Sequence, residues 1–175
     1  MTVLTTKPFL AVSALAALLA FGGPAAAQSD FAASFSDPAW DGVTVPEGQH
    51  CSLQGGMGAT PPIDVTGIPN GATQINLSFN DETFEPMNNG GHGVIGFALE
   101  EGATEASLPA VPGGTEDLPE GVTIAAANKT SGDFLTPGYM PPCSGGNGNT
   151  YSVDVIAVDA DGAELASTRL PLGTY

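Results

Sequence analysis

The chain has 175 residues, with 3 Lys plus Arg against 19 Asp plus Glu and a formal net charge of -16. This excess of acid argues against a nucleic-acid partner, because binding to phosphates needs cations that displace counterions, and it equally disfavours a polybasic membrane contact. The length favours a single domain.

Residues 1–27 have the features of a secretory signal peptide. Lys7 precedes an apolar run at residues 9–21, and three alanines at residues 25–27 supply a small-residue cleavage site. The run is too short for a comfortable membrane span, and no Cys follows it to carry a lipid, so we expect no stable membrane anchor. The alternative is a buried N-terminal helix.

Cleavage after Ala27 predicts a periplasmic or secreted protein with one mature domain, residues 28–175. Lys7 leaves with the signal peptide and every acid stays. The mature domain therefore keeps 2 cations against 19 acids, a formal charge of -17. Acidity is thus a property of the exported domain.

Alternating apolar and polar residues predict the first two clear β-strands of the mature domain. Residues 73–80 alternate strictly, with Ile75, Leu77 and Phe79 on one face, which is typical of a half-buried strand. Residues 94–99 are apolar on both faces, which favours a central strand. A β-sheet with a buried face is therefore expected in this half of the domain.

The last strands are predicted as a hairpin. Residues 151–157 place an apolar side chain at every second position, and Asp-Ala-Asp-Gly at residues 159–162 favours a tight reversal into an antiparallel strand at residues 163–170. No mature window gives three turns of helical periodicity. The sequence therefore predicts an all-β domain, a β-sandwich with at most short helices.

Long loops are expected between these strands, at residues 81–91, 101–120 and 125–149. Loops of that length are usually functional or act as linkers. They are therefore the first places to look for a site.

Cys51 and Cys143 are predicted to form a disulfide, because free thiols are scarce in exported proteins. The alternative, a pair of metal ligands, lacks a second Cys or a His at a useful spacing. Asp159, Asp161 and Glu164 do not complete the twelve-residue calcium pattern, and a plain hairpin turn is favoured there. We expect no metal and no cofactor.

Five stretches of the sequence resemble the bacterial phosphatidylethanolamine-binding proteins, over residues 31–170. The most specific stretch, Gly-Asp-Phe-Leu-Thr-Pro-Gly-Tyr-Met-Pro-Pro-Cys at residues 132–143, is similar to the family's Asn-Asp-Phe-Gly-x-Pro-Gly-Tyr-Gly-Gly-Pro-Cys. The other stretches are residues 35–51, 60–71, 80–83 and 91–94. The resemblance implies an antiparallel Greek-key β-sandwich with a small pocket for an anionic head group such as phosphate.

The resemblance also implies which residues form the pocket. These ligand-binding residues are Asp81, His92, Gly138, Tyr139, Pro142, Asn149 and Tyr151. A pocket His can donate to an oxyanion while a nearby carboxylate holds its tautomer, and backbone N–H groups of the loop at residues 139–142 add donors. The alternative role of His92 is structural, as a His hydrogen-bonded to a carboxylate.

The sequence departs from the family pattern at several pocket positions. Asn149 stands where the family has a second His, Thr150 replaces an Arg, and Glu82 adds an acid. Met140 and Pro141 replace two glycines of the ligand loop, which removes one N–H donor and adds bulk. These changes lower the positive charge of the predicted pocket and narrow it.

The sequence thus predicts an exported, non-enzymatic binding protein for a small polar or anionic ligand. One alternative is an interaction protein that docks a protein partner through loops 101–120 and 130–149, as implied by family members that inhibit proteases or kinases. A second alternative is a hydrolase that uses Ser144 with His92 and Asp81. No nucleophile elbow, zinc motif or phosphate loop supports that enzyme.

Overall fold

The computed structural model describes residues 1–2 and 30–175, so the predicted cleavage site after Ala27 lies outside the described residues. Within these ranges the chain forms eight strands: β1 Ala32–Phe35, β2 Ile63–Thr66, β3 Gln74–Asp81, β4 Val94–Ala98, β5 Glu105–Leu108, β6 Val122–Ala126, β7 Thr150–Val158 and β8 Glu164–Thr174. Three short 3-10 helices accompany them: Ser52–Gln54, Glu85–Met87 and Gly132–Phe134. No helix in the described ranges is long and apolar enough to cross a membrane.

The strands form two antiparallel sheets that pack on one core. The smaller sheet has the order β1-β2-β5 and the larger has the order β6-β4-β3-β7-β8. Ile63 and Val65 of β2 belong to the same hydrophobic cluster as Leu77 of β3 and Ile95 of β4. The predicted antiparallel β-sandwich is confirmed. Because β5 belongs to the smaller sheet while β4 and β6 belong to the larger, the chain crosses between the sheets and returns.

The alternation of β3 explains both the core and the position of the site. Ile75, Leu77 and Phe79 are buried on the face that the pattern predicts. The opposite face is half-buried at Gln74 and Asn76 but buried at Ser78 and Asn80, and Asp81, which follows Phe79 on the first face, is buried as well. The loops cover this end of the sheet, so polar side chains are enclosed there and need partners.

The predicted hairpin and disulfide are both present. Gly162 N–H donates to the Asp159 carbonyl, and Asp159 N–H donates to the Ala163 carbonyl, which closes the turn between β7 and β8. Cys51 and Cys143 are bonded, with their Cα atoms 5.2 Å apart. The disulfide joins the turn after residue 50 to the loop that precedes β7.

The predicted long loops need a correction, because residues 101–120 contain β5 and residues 125–149 begin inside β6. Both strands lie at sheet edges, where few positions are buried. In β5 only Leu108 is buried. The alternation of apolar and polar residues is weak in an edge strand, because one face and one edge of the strand remain in water and few of its side chains must be apolar. The pattern of β2 spans only four residues, which is too short to stand out between Pro61-Pro62 and Gly67.

Candidate functional site

A cavity of about 380 Å³ lies where the end of β3 meets the start of β7. Asp81, the last residue of β3, pairs with Tyr151 at the start of β7. The polar lining side chains are Asp81, His92, Lys129, Thr130, Ser131, Ser144, Asn149 and Tyr151. The apolar lining side chains include Phe84, Pro86, Met87, Phe134 and Met140. Asp81, His92 and Tyr151 are buried and form the polar floor of the cavity, and the exposed Phe84 and Phe134 lie at its mouth.

Asp81 is a buried carboxylate whose oxygens are held by three hydrogen bonds. Its Oδ1 accepts from the backbone N–H groups of Thr83 and Phe84, each at 2.9 Å, which fixes the turn after β3. Its Oδ2 accepts from Asn149 Nδ2 at 2.6 Å. Because a carboxylate only accepts, the Asn149 amide must present its NH₂ group to Asp81. Asp81 therefore orients Asn149 at the cavity floor.

His92 is 4% exposed and precedes β4. Its Nδ1 donates to the Met140 carbonyl at 2.7 Å, and Met140 N–H donates back to the His92 carbonyl at 2.9 Å. Since a carbonyl only accepts, Nδ1 carries the proton, and Nε2 is the free acceptor of the neutral ring. The expectation that a carboxylate holds this His is corrected: its partner is a backbone carbonyl.

The environment of His92 keeps the imidazole neutral. Burial lowers the pKa of His92, and the Met140 carbonyl and the charge of Asp81 oppose that shift only in part. The ring packs edge-on against Tyr151, with centroids 5.4 Å apart. Among the described residues Nε2 has no hydrogen-bond partner. The one side-chain polar atom there that is both fully buried and without a partner is the Tyr139 hydroxyl, so Nε2 keeps some exposure to solvent.

Tyr151 supplies a hydroxyl donor beside His92. Burial raises the pKa of Tyr151 to about 12, and its hydroxyl lies close to Ser144, the Asp81 carboxylate and the backbone N–H of Cys143. The phenol therefore stays protonated at any physiological pH. It adds a neutral donor to a floor that otherwise carries the Asp81 charge.

Lys129 brings a cation to the cavity that the sequence reasoning missed. Its Nζ donates to the carbonyls of Asn88 and Asn89, at 3.0 and 3.2 Å, which hold the ammonium at the cavity wall. The other cation of the described chain, Arg169, is bonded to Asp154 and Glu82. The sequence does contain one sign that Lys129 belongs to the site: it is the one cation in the predicted loop at residues 125–149.

Gly138 and Tyr139 match the family's ligand loop, but they lie outside the cavity lining. Gly138 has φ +62°, and a Cβ there would lie 2.2 Å from the Thr115 carbonyl oxygen, so the position requires glycine. The Tyr139 ring packs in the core 4.3 Å from Phe79. These two residues fix the path of the loop that places Met140 against His92.

Pro142, the third predicted loop residue, is also buried outside the lining. Its carbonyl accepts from Cys51 N–H at 3.0 Å, and the next carbonyl, of Cys143, accepts from Gln54 Nε2 at 3.1 Å. These bonds and the disulfide hold the cavity wall at Cys143. Direct ligand contact by Gly138, Tyr139 and Pro142 stays a prediction.

One backbone donor of the cavity wall has no acceptor within the described chain. The N–H group of Ser144 has none among residues 1–2 and 30–175, whereas that of Cys143 faces the Tyr151 hydroxyl and that of Met140 is used by His92. A free N–H group in the wall can donate to an anion. The Ser144 hydroxyl instead donates to the main-chain oxygen of Tyr175 at 2.6 Å.

The arrangement differs from the relay that a hydrolase would need. In that relay a carboxylate bonds the imidazole, and the imidazole bonds the nucleophile. Here the His92 Nδ1 bond goes to Met140, and the bonds of Asp81 go to Asn149 and the turn after β3. Within the described ranges no group of three His, Cys, Asp or Glu side chains is placed to hold a metal ion.

Comparison with known proteins agrees with this architecture. No family model matches the sequence, and no curated protein matches it. A crystal structure described as a phosphatidylethanolamine-binding protein homologue from Chlamydia trachomatis is similar, with a TM-score of 0.51 and 20% sequence identity. The match covers 84% of this chain and 97% of that chain. The chain therefore has a phosphatidylethanolamine-binding-protein-like fold.

Proposed function

We propose that the chain is an exported, non-enzymatic binding protein whose cavity takes a small ligand with a phosphate-type anionic group. The observation that carries the proposal is the unpartnered Nε2 of His92, in a cavity that also contains Lys129 and the Ser144 N–H group. An oxyanion uses all three kinds of group. The disulfide supports export, because such bonds persist in oxidising compartments.

A proton accompanies the anion into this site. Because the neutral Nε2 only accepts, it can bond a protonated phosphate oxygen, or it can itself take up a proton and donate to an ionised oxygen. In either case one proton is shared between His92 and the ligand. Affinity should therefore rise as the pH falls from 8 to 6.

The surrounding groups limit the size and charge of the ligand. Asp81 orients Asn149 through its three bonds and keeps its negative charge, which favours a ligand that carries few negative charges. The apolar mouth at Phe84, Met87 and Phe134 reduces the water around the anion, which strengthens its contacts. A volume of about 380 Å³ suits a phosphate group with a short substituent.

Isothermal titration of the mature chain tests the proposal with inorganic phosphate and phosphoethanolamine, using glycerol and ethanolamine as controls without the anion. His92→Asn keeps a side-chain donor where Nδ1 bonds Met140 and removes Nε2. We expect this variant to bind phosphate about tenfold or more weakly, because a charge-assisted bond is worth about 1.5–3 kcal/mol. His50→Asn, on the other histidine, is the matched control and should bind like the wild type.

Titration in buffers of different ionisation enthalpy measures the proton. The wild type should take up a fraction of a proton near pH 7 when it binds phosphoethanolamine, and His92→Asn should take up none. Two results contradict the proposal: no binding of either anion at millimolar concentration, or equal affinities for the wild type and His92→Asn.

A further inference from the structure

An exposed apolar surface borders the cavity and a second recess beside it. Five of the eight exposed large apolar side chains in the described residues lie there, and each is between 50% and 91% exposed. These five side chains, called the apolar rim, are Leu53, Met57, Phe84, Phe134 and Leu135. Clustered apolar side chains on a soluble surface mark an interaction site more often than scattered ones do.

The apolar rim spans two cavities. Phe84 and Phe134 line the site described above, whereas Leu53, Met57 and Leu135 line a second cavity of about 350 Å³. Met140 lines both cavities. The rim therefore extends from the ligand site to a second cavity, which none of the predicted ligand-binding residues lines.

The second cavity has walls that are packed in place. A Cβ at Gly58 would lie 2.6 Å from Pro141 Cβ, and one at Gly113 would lie 2.4 Å from Pro141 Cγ. Cys51, in the same wall, is fixed by the disulfide. A recess held this way is available without rearrangement, and a partner that fills it avoids the entropy cost of shaping it.

Acidic side chains border the rim. Glu85 follows Phe84 in sequence, Asp133 precedes Phe134, and Glu116 shares a cleft with Leu135. Both adjoining acids at the ligand-site end, Glu85 and Asp133, are exposed. An apolar surface framed by carboxylates complements a partner that combines apolar and basic residues.

The same charge disfavours other occupants. A second copy of the chain would bring together two domains of charge -17, and an anionic lipid surface would be repelled as well. We propose that the apolar rim is the docking surface for a basic amphipathic peptide segment of another protein. One apolar side chain of the segment enters the second cavity, and flanking Lys or Arg side chains face Glu85, Glu116 and Asp133.

Fluorescence anisotropy tests the proposal with three labelled synthetic peptides and the mature chain. The probe is Lys-Lys-Leu-Phe-Leu-Lys-Lys; Glu-Glu-Leu-Phe-Leu-Glu-Glu reverses its charge, and Lys-Lys-Ser-Gly-Ser-Lys-Lys removes its apolar side chains. We expect the probe to bind at least tenfold tighter than either control peptide. Its affinity should fall as salt is raised, because the flanking charges are screened.

Variants locate the binding. The double substitution Met57→Ser with Leu135→Ser should weaken probe binding at least tenfold, and both side chains are exposed, so folding should be unaffected. Leu165→Ser is the matched control: Leu165 is also exposed but lies on β8 beside the Asp159 hairpin. It should change the affinity less than twofold. His92→Asn should leave probe binding unchanged, which separates the rim from the anion site.

Three outcomes overturn the proposal. The first is equal binding of the three peptides, and the second is an unchanged affinity in the double variant. The third is occupation of the rim by something else, seen either as binding to phosphatidylcholine vesicles that the double variant loses or as self-association in sedimentation that it abolishes.

Discussion

Removing the disulfide should cost the chain much of its stability. The bond joins residues that are 92 apart in sequence. In the chain-entropy model, closing a loop of that size removes about 15 cal/mol/K from the unfolded chain, which corresponds to about 4–5 kcal/mol at 25 °C. Typical domains have only about 5–15 kcal/mol of net stability. The double substitution Cys51→Ala with Cys143→Ala is therefore expected to bring the domain close to unfolding.

Changes in the folded state should contribute little to this loss of stability. Cys51 N–H bonds the Pro142 carbonyl, and Gln54 Nε2 bonds the Cys143 carbonyl, and neither bond requires sulfur. Alanine at both positions leaves these contacts in place. The change should therefore appear mainly in the unfolded chain, as a larger dependence of the unfolding free energy on denaturant.

Urea unfolding of the mature chain measures the effect, with the wild type in reducing agent as a second route to the same state. Heating should show a fall in melting temperature of roughly 15 °C for a domain of this size. Cys51→Ala alone is the control, since it breaks the same bond and should match the double variant. A loss below about 1 kcal/mol in both the double variant and the reduced wild type would refute the reasoning.

Three further predictions concern pH, backbone and salt. Burial lowers the pKa of His92, so below about pH 6.5 the unfolded chain binds a proton that the folded chain resists. The free energy of unfolding should then decrease as the pH is lowered, by at most about 1.4 kcal/mol per pH unit. Urea titrations should show a smaller pH slope in His92→Asn than in the wild type. Gly138→Ala should destabilise by at least about 2 kcal/mol more than Gly146→Ala in the same assay, because both have positive φ but only Gly138 meets a carbonyl oxygen, that of Thr115. Added NaCl should raise the melting temperature by screening the net charge, and an unchanged melting temperature would contradict this.

The strands that sequence alone predicts are those whose pattern is long enough to repeat. β3 alternates over its whole length, and the hairpin of β7 and β8 has both alternation and an Asp-Gly turn. β5 and β6 escape prediction because edge strands bury few side chains, so their patterns depend on the neighbour that covers them. That neighbour is distant in sequence, as β4 is to β6. Local periodicity cannot contain this information.

Some residues of the site could likewise be predicted from the sequence, and others could not. The resemblance places Asp81, His92, Asn149 and Tyr151 in one pocket, and all four line the cavity. Sequence reasoning could not supply the partner of His92, because the Met140 carbonyl comes from a loop 48 residues away. Nor could it place Lys129, whose position depends on two carbonyls about 40 residues away in sequence.

Charge near the site is more favourable to an anion than the composition suggests. Glu82, the acid expected beside the pocket, is bonded to Arg169 at 3.1 Å and does not line the cavity. The oxygens of Asp81 accept three hydrogen bonds. Glu82 is therefore paired and Lys129 is present at the wall, whereas Asp81 keeps its charge and Glu85 and Asp133 are exposed beside Phe84 and Phe134. These three acids and the more distant charge of the whole domain remain unfavourable to an anion.

Salt separates this distant charge from local contacts, because screening acts beyond about 8 Å at physiological ionic strength and much less on enclosed groups. The charge of -17 on the mature domain repels an approaching anion and attracts a basic peptide. Raising NaCl from 20 to 300 mM should therefore speed the association of phosphoethanolamine and slow that of the basic probe peptide, as measured by stopped flow. The same direction of change for both ligands would show that they do not respond to one negative field. The proposed anion site and the apolar rim would then need a different electrostatic account.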